Sequence, residues 1–263
     1  MTTILIIIVN LLVGVCIGLT GIAGFLLPMF YTGFLGMPAV EALALSFVAF
    51  FVSGALGSWN YFRSGNLDLK AAVLLSVGSL AGAILGVHLN LLIPETMIRL
   101  LLYLVVLLSG ISILVREAAA KRRKAVNSSS DRPSISGTKG CLLYLLLGLS
   151  TGAVCAASGA GGPILVMPLL TTMGFPAHTA VGISLFDSIF IAIPSAAGYL
   201  SAAQDMASLL TLLPLVVLFH GAGVLVGSRY AVRINQGLLK ALVASGSILI
   251  ACVKLAPLLA ELF

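Results

Sequence analysis

Charge is what this 263-residue chain has least of: Asp, Glu, Lys and Arg make up 8% of it, against 60% hydrophobic residues. Soluble domains carry about 25% charged residues, so the shortage excludes a soluble fold with a solvated surface of its own. Acidic residues are scarcer than basic ones, 8 against 14, which leaves a net charge of +6. That surplus does not imply a nucleic-acid partner, because it is not spread as a binding face. Arg116, Lys121, Arg122, Arg123, Lys124, Arg132 and Lys139 gather in one polar stretch between apolar segments. Basic clusters beside membrane spans mark the cytoplasmic side, where anionic lipid headgroups also attract them.

Cysteine and histidine are also sparse. Cys16, Cys141, Cys155 and Cys252 lie in or beside apolar segments without metal-ligand spacing, so they read as packing residues and not as a disulfide framework. No cofactor and no metal are expected. The opening "MTTILIIIVNLLVGVCIGLTG" has neither a basic n-region nor a small-residue cleavage site, so it reads as a retained membrane segment.

What the chain has in abundance is apolar length. Its mean hydropathy is +1.19, and runs of about 20 apolar residues, enough to span a bilayer core, recur along it. The expected fold class is an all-α polytopic membrane protein. Apolar segments are expected at 4–35, 40–62, 69–92 and 97–115, then at 140–173, 177–200, 207–228 and 237–260. Residues 116–139 form a polar linker that includes "NSSSDRPSISG", a composition suited to a flexible loop. The organisation is thus a first membrane repeat (1–115), a cytoplasmic basic linker (116–139) and a second membrane repeat (140–263).

The two quartets resemble each other. "GIAGFLLP" (21–28) aligns with "GGPILVMP" (161–168), pairing Gly21 with Gly161 and Pro28 with Pro168. "GMPAVEALALSF" (36–47) aligns with "GFPAHTAVGISL" (174–185), pairing Pro38 with Pro176 and Ser46 with Ser184; Tyr61 meets Tyr199, Gly82 meets Gly223 and Gly86 meets Gly227. Order kept across these landmarks implies duplication, a common way to build a transporter. Arg63 and Lys70 flank one turn of the first half, and Arg229, Arg233 and Lys240 surround a non-equivalent turn of the second. The positive-inside rule puts both inside with the linker, so equivalent turns face opposite sides and the repeat is inverted. An inverted repeat needs an odd number of crossings per half. The first segment of each half supplies it, because about 30 residues are too long for a bilayer core unless broken. Each first segment is expected to be two shorter helices, as a re-entrant hairpin or two short crossings.

The glycine breaks are the expected binding site. Freed backbone at membrane depth is tolerated only where protein or a water-filled cavity satisfies it. In "SGAGGP", Pro163 suits the first turn of a helix. The amides around Gly161, Gly162 and Ile164 could face an anion with the helix dipole behind them, and Ser158 could add a hydroxyl. Thr20, Gly21 and Gly24 form the matching break, so Ser158 to Pro163 is expected to face Thr20 to Gly24, with Ser46 and Ser184 as paired hydroxyls nearby. The bland alternative is that these glycines only allow close helix packing.

Few ionisable residues fall within the spans. Asp187, with Ser184 and Ser188 beside it, is the expected coupling residue, since a carboxylate at membrane depth is costly and often functional. His220 is a second coupling candidate, against the reading of a lone hydrogen-bonded histidine. His178 flanks or caps the helix after Pro176, and Lys254 lies close enough to a terminus to snorkel. A hydrolase dyad of Ser158 with His178 or His220 is a weak alternative, and "GAGGP" is no phosphate loop because neither a strand–helix context nor a following Lys-Ser/Thr is present.

The duplicated pattern of a glycine break, a following proline and "GFPAHTAVGISL" resembles the TauE/SafE sulfite exporter family, also called the toluene-sulfonate uptake permease group. The resemblance extends over nearly the whole chain. It implies a secondary transporter of small sulfur-containing anions such as sulfite, organosulfonates or thiosulfate, and it carries over onto Gly161, Gly162, Pro168, Gly182 and Ser184. Where the family has Gly-Thr-Ser, this chain has Gly182-Ile183-Ser184 and lacks the threonine hydroxyl. The expected protein is therefore not an enzyme but an inner-membrane carrier. Its partners are a small anion and the bilayer; a homo-oligomer is allowed but not required. With no nucleotide-binding domain, proton- or ion-gradient coupling, or facilitated movement, is expected over ATP hydrolysis. The competing readings are a carrier of a non-sulfur carboxylate, an intramembrane enzyme and a non-transporting scaffold.

Overall fold

The computed structural model describes residues 2–21, 23–123, 138–230 and 236–262, and no strand occurs among them. The first half holds α1 (Thr2–Thr20), a 3-10 turn (Ala23–Phe25), α2 (Leu26–Gly33), α3 (Ala39–Arg63), α4 (Leu69–Leu92) and α5 (Glu95–Arg123). The second half holds α6 (Thr138–Ser158), α7 (Gly162–Thr172), α8 (Ala177–Ala202), α9 (Met206–Tyr230) and α10 (Gln236–Leu262). Eight of the described helices are long and apolar enough to cross a membrane, four from each half. At 1.5 Å per residue, the 25 residues of α3 reach about 38 Å, whereas the 8 residues of α2 reach only about 12 Å.

The helix ends follow from local chemistry. Asp68 caps α4 by accepting the Ala71 amide at 3.1 Å, an ordinary N-cap bond. α3 and α8 both start after a proline with nearly the same backbone, Pro38 at φ −53°, ψ 144° and Pro176 at φ −56°, ψ 142°. Proline suits this boundary because it lacks the N–H that a helix start leaves unpaired. The predicted linker begins inside a helix: α5 continues past 115 to Arg123. The stretch "NSSSDRPSISG" (127–137) lies outside the described residues, as do Arg233 of the expected inside turn at 229–240 and Ile22 of the first break.

Packing pairs helices across the two halves. α1 lies against α9, α6 against α4, α3 against α8 and α5 against α10. Glycines set two of these contacts. Gly78, Gly82 and Gly86 of α4 abut the backbone of Leu145, Leu149 and Ala153 of α6, so the two helices run in parallel. Gly14 and Gly18 of α1 abut the backbone around Gly223 and Gly227 of α9 in the same sense. In a bilayer, where no hydrophobic force drives helices together, close backbone approach of this kind supplies the packing energy. α3 and α8 run in opposite senses: Phe47 stacks on Tyr199 at 5.8 Å, while Gly54 meets Leu185 and Ile189.

The long first segments resolve into hairpins. α2 turns back along α1, where Asn10 Nδ2 donates to the Tyr31 hydroxyl at 2.6 Å. α7 turns back along α6, and Tyr144 meets the ring of Phe175 edge-on at 6.4 Å.

Candidate anion site

Both hairpins break at glycine. Gly21 (φ +76°) and Gly159 (φ +69°) end α1 and α6 in the left-handed region, where glycine alone avoids a Cβ penalty. Their amides donate to Ile17 O at 2.7 Å and to Cys155 O at 2.9 Å. The conformational partner of Gly21 is therefore Gly159, two positions before the Gly161 that linear alignment pairs with it. The second break carries an extra left-handed residue, Gly161 (φ +75°, ψ 147°), which is the N-cap of α7 and has no side-chain cap. Among the described residues the Gly161 and Gly162 amides find no protein acceptor.

The two breaks meet. Ile17, Gly21, Gly24, Phe50, Ser53, Ala160, Gly161, Pro163, Ile164, Leu185 and Ser188 enclose a cavity of ≈ 20 Å³. That is room for about one water. The ring of Phe50 stands between the breaks, close to both Gly24 and Gly161. A second cavity of ≈ 30 Å³ shares Ile17, Gly21, Ser53 and Leu185 with the first and continues past Gly57, Asn60 and Tyr61 to Ser228. A far larger groove, ≈ 460 Å³, opens between α5, α6 and α7. Its walls include Leu108 and Leu169, 63% and 39% exposed, so it is an apolar crevice on the outer face of the second hairpin and not a polar site.

Of the residues predicted for substrate, Gly21, Gly24, Gly161 and Pro163 line the central cavity. Gly162 packs directly against Ser188 Oγ. The four predicted hydroxyls do not line it. Thr20 donates to Cys16 O at 2.7 Å, Ser46 to Ala42 O at 2.7 Å, Ser158 to Val154 O at 2.6 Å and Ser184 to Val181 O at 2.9 Å. Each bonds back to its own helix, the usual local choice for Ser and Thr. Gly182 packs against the Asn66 carbonyl and the Tyr61 side chain, and Pro168 is buried within α7. Sequence reasoning missed Phe50 and Ser53, and it named Ser188 only as a neighbour of Asp187. Nothing in the sequence marks Phe50 or Ser53 within an ordinary apolar helix.

The surroundings of the cavity are unequal on its two sides. Tyr199 is fully buried, donates to Ala156 O at 2.8 Å and is stacked on Phe47; Asn90 donates to Ala157 O beside it. Tyr61, which the sequence alignment of the two halves pairs with it, is only half-buried and lines the second cavity.

Asp187 and His220 are both fully buried. The structure does not bring them together. Neither bonds to the other, and among the described residues both carboxylate oxygens and both ring nitrogens lack a hydrogen-bond partner. Ser158 makes no bond to a histidine, and His178 is exposed at the start of α8, so no serine–histidine pair forms among these residues. Lys254 rests on Phe34, its ammonium 4.7 Å from the ring centroid.

A paired glycine break inside an apolar helical bundle is a pattern that sequence comparison can test. The family described as Sulfite exporter TauE/SafE matches this chain over residues 6–254. The chain belongs to that family. It is a multi-pass membrane transporter of the TauE/SafE family. A curated relative, the "Probable membrane transporter protein YdhB" of Bacillus subtilis (strain 168), is 25% identical over 200 residues, covering 75% of this chain and 78% of that protein. No solved structure matches the chain.

Proposed function

We propose that the protein carries small sulfur-containing anions, of the sulfite, organosulfonate or thiosulfate class, by alternating access, holding the anion where the two glycine breaks meet. The observation that carries this reading is the shared cavity at Gly21–Gly24 and Gly161–Pro163, with Ser53 and Ser188 in its wall. The uncapped α7 N-terminus offers amides and a dipole to negative charge, and family membership supplies the substrate class. A volume of ≈ 20 Å³ is too small for an oxyanion, so this is a closed state that widens on loading.

Three features support an inverted duplication as the moving architecture. α3 and α8 are equivalent helices of opposite sense. The short returning α2 and α7 give each half an odd count. The contacts of α1 with α9 and of α6 with α4 exchange under the same two-fold relation. Transporters of this design bind substrate at the repeat interface and rock one bundle against the other. The 116–139 linker is cytoplasmic in this reading and the protein sits in the cell membrane.

The test is counterflow in proteoliposomes. Labelled sulfite, thiosulfate and an organosulfonate are offered, and at least one is expected to exchange against its unlabelled form. A folded protein that exchanges a simple carboxylate and none of these anions would overturn the substrate class, and one that exchanges nothing would overturn the transporter reading.

The shut Tyr199 side and the looser Tyr61 side make Tyr199 the closing element away from the Arg63–Lys70 turn. Tyr199→Phe removes one buried hydrogen bond worth about 1 kcal/mol, which shifts a two-state balance about fivefold. A cysteine introduced as Ala157→Cys is expected to react correspondingly faster with an impermeant maleimide when Tyr199→Phe is added. Equal rates would remove Tyr199 from the closure.

A further inference from the structure

We propose that Asp187, with the Ser76 and Ser79 hydroxyls of α4, forms a proton-binding site through which anion movement is coupled. This rests on the transport reading above and adds the ion that drives it. Asp187 sits in the middle of α8 with no exposure, and neither carboxylate oxygen completes a hydrogen bond. Ser79 and Ser76 of α4 face it. Ser79 donates to Gly148 O at 3.2 Å, and the Ser76 hydroxyl has no partner other than the Asp187 it faces among the described residues.

Among the described residues the charged and titratable neighbours leave the carboxylate without a counter-charge. α8 packs against α3, α4, α6 and α7. Cys155 of α6 is the titratable side chain that faces Asp187. Glu41, Tyr61 and Arg63 of α3 and Lys70 and His88 of α4 belong to the end regions of their helices; Lys139, Cys141 and Tyr144 belong to the first two turns of α6, and α7 has none. A carboxylate buried without a cation beside it is costly to hold ionised, and an anion loaded nearby adds to that cost. The serine hydroxyls can accept a hydrogen bond from the protonated acid or donate one to the carboxylate, as rotation allows.

The site also touches the anion cavity. Cys155, which faces Asp187, donates from Sγ to Gly161 O at 3.4 Å. The residue after Asp187, Ser188, lines the cavity and packs against Gly162. An anion at the breaks and an ionised Asp187 would repel across one helix turn in a low-dielectric interior. Anion loading therefore favours the protonated carboxyl, and release of one favours release of the other. The step is a simple protonation, carboxylate plus proton giving carboxylic acid, with no other reactant.

The experiment uses labelled thiosulfate, which stays ionised across the working pH range, in proteoliposomes of the full chain. Its readout is the ratio of accumulation with a proton gradient to that without one. The wild type is expected to show a ratio of about tenfold per pH unit, and Asp187→Asn, which mimics the neutral acid, a ratio near one. Asp187→Glu is expected to restore part of it. Lightly buffered detergent-solubilised wild type should also take up protons on adding thiosulfate, while Asp187→Asn should not. An unchanged gradient ratio in Asp187→Asn overturns the coupling site alone. A sodium gradient that drives accumulation where a proton gradient does not overturns the proton. If thiosulfate does not exchange, the same ratio is read with sulfite or an organosulfonate; no exchange of any of the three in wild type overturns the transport reading, and the coupling site falls with it.

Discussion

Gly161→Ala is expected to cut anion exchange at least tenfold while the protein still folds into its helical bundle. At φ +75°, ψ 147° Gly161 lies in a region almost reserved for glycine, where another residue costs about 1–3 kcal/mol. The cost is conformational and not steric, because the atoms nearest an added Cβ are those of the Phe50 ring, at ordinary contact distances of 3.5–3.7 Å. Alanine would relieve the strain by rotating the peptide, and that rotation redirects the amides at the start of α7. A barrier or binding change of about 1.4 kcal/mol is a factor of ten, so a cost in the middle of that range, about 2 kcal/mol, exceeds the expected loss. Gly246→Ala is the control, since nothing lies within 4 Å of its added Cβ. Counterflow rates with matched amounts of folded protein decide the matter. Exchange in Gly161→Ala equal to that in Gly246→Ala would remove the α7 N-terminus from the anion site.

Gly148→Ala is expected to have the largest effect on stability. Gly148 of α6 packs on the backbone of α4, its added Cβ falling on the Leu75 carbonyl and within 2.9 Å of the Ser79 amide. Backbone cannot step aside as a flexible side chain can, so α4 and α6 would separate. Overpacking of this kind costs about 1–3 kcal/mol. For a chain of this size that lowers the melting midpoint by on the order of 5 °C. Gly82→Ala, on the facing helix and against the Leu149 carbonyl, should act similarly, and the pair should add less than fully because they open one contact. Thermal melting in detergent reads both. A Gly148→Ala protein that melts with the wild type would show that α4 and α6 are not held this closely.

The same glycines illustrate what a linear reading can and cannot see. Their alignment, Gly82 with Gly223 and Gly86 with Gly227, was visible in the sequence because the two stretches keep the same order of landmarks. Their partners were not. That Gly82 meets Leu149 and Gly227 meets Val15 depends on which helices lie side by side, and no local pattern encodes that. The predicted hydroxyls show a similar divide. Ser46, Ser158 and Ser184 stood out by position, yet each bonds back to its own helix. Ser53 and Phe50, which do reach the cavity, sit in an apolar run without any distinguishing neighbour. Asp187 was conspicuous as a charge at membrane depth, but its setting among Ser76, Ser79 and Cys155 joins residues from three separate helices.

Apolar length, the scarcity of charge and the two glycine interruptions determined by themselves that this chain is a helical membrane protein broken at Gly21–Gly24 and Gly159–Gly162. These are properties of neighbouring residues: hydropathy sets which segments enter lipid, and positive φ at glycine sets where a helix ends. Only the tertiary structure decided that the two breaks share one cavity, that Tyr199 is fully buried while Tyr61 is half-buried, and that Asp187 has no counter-charge among the described residues. Those outcomes come from backbone contacts between helices far apart in the chain. In lipid such contacts depend on shape, and shape exists only once the helices have met.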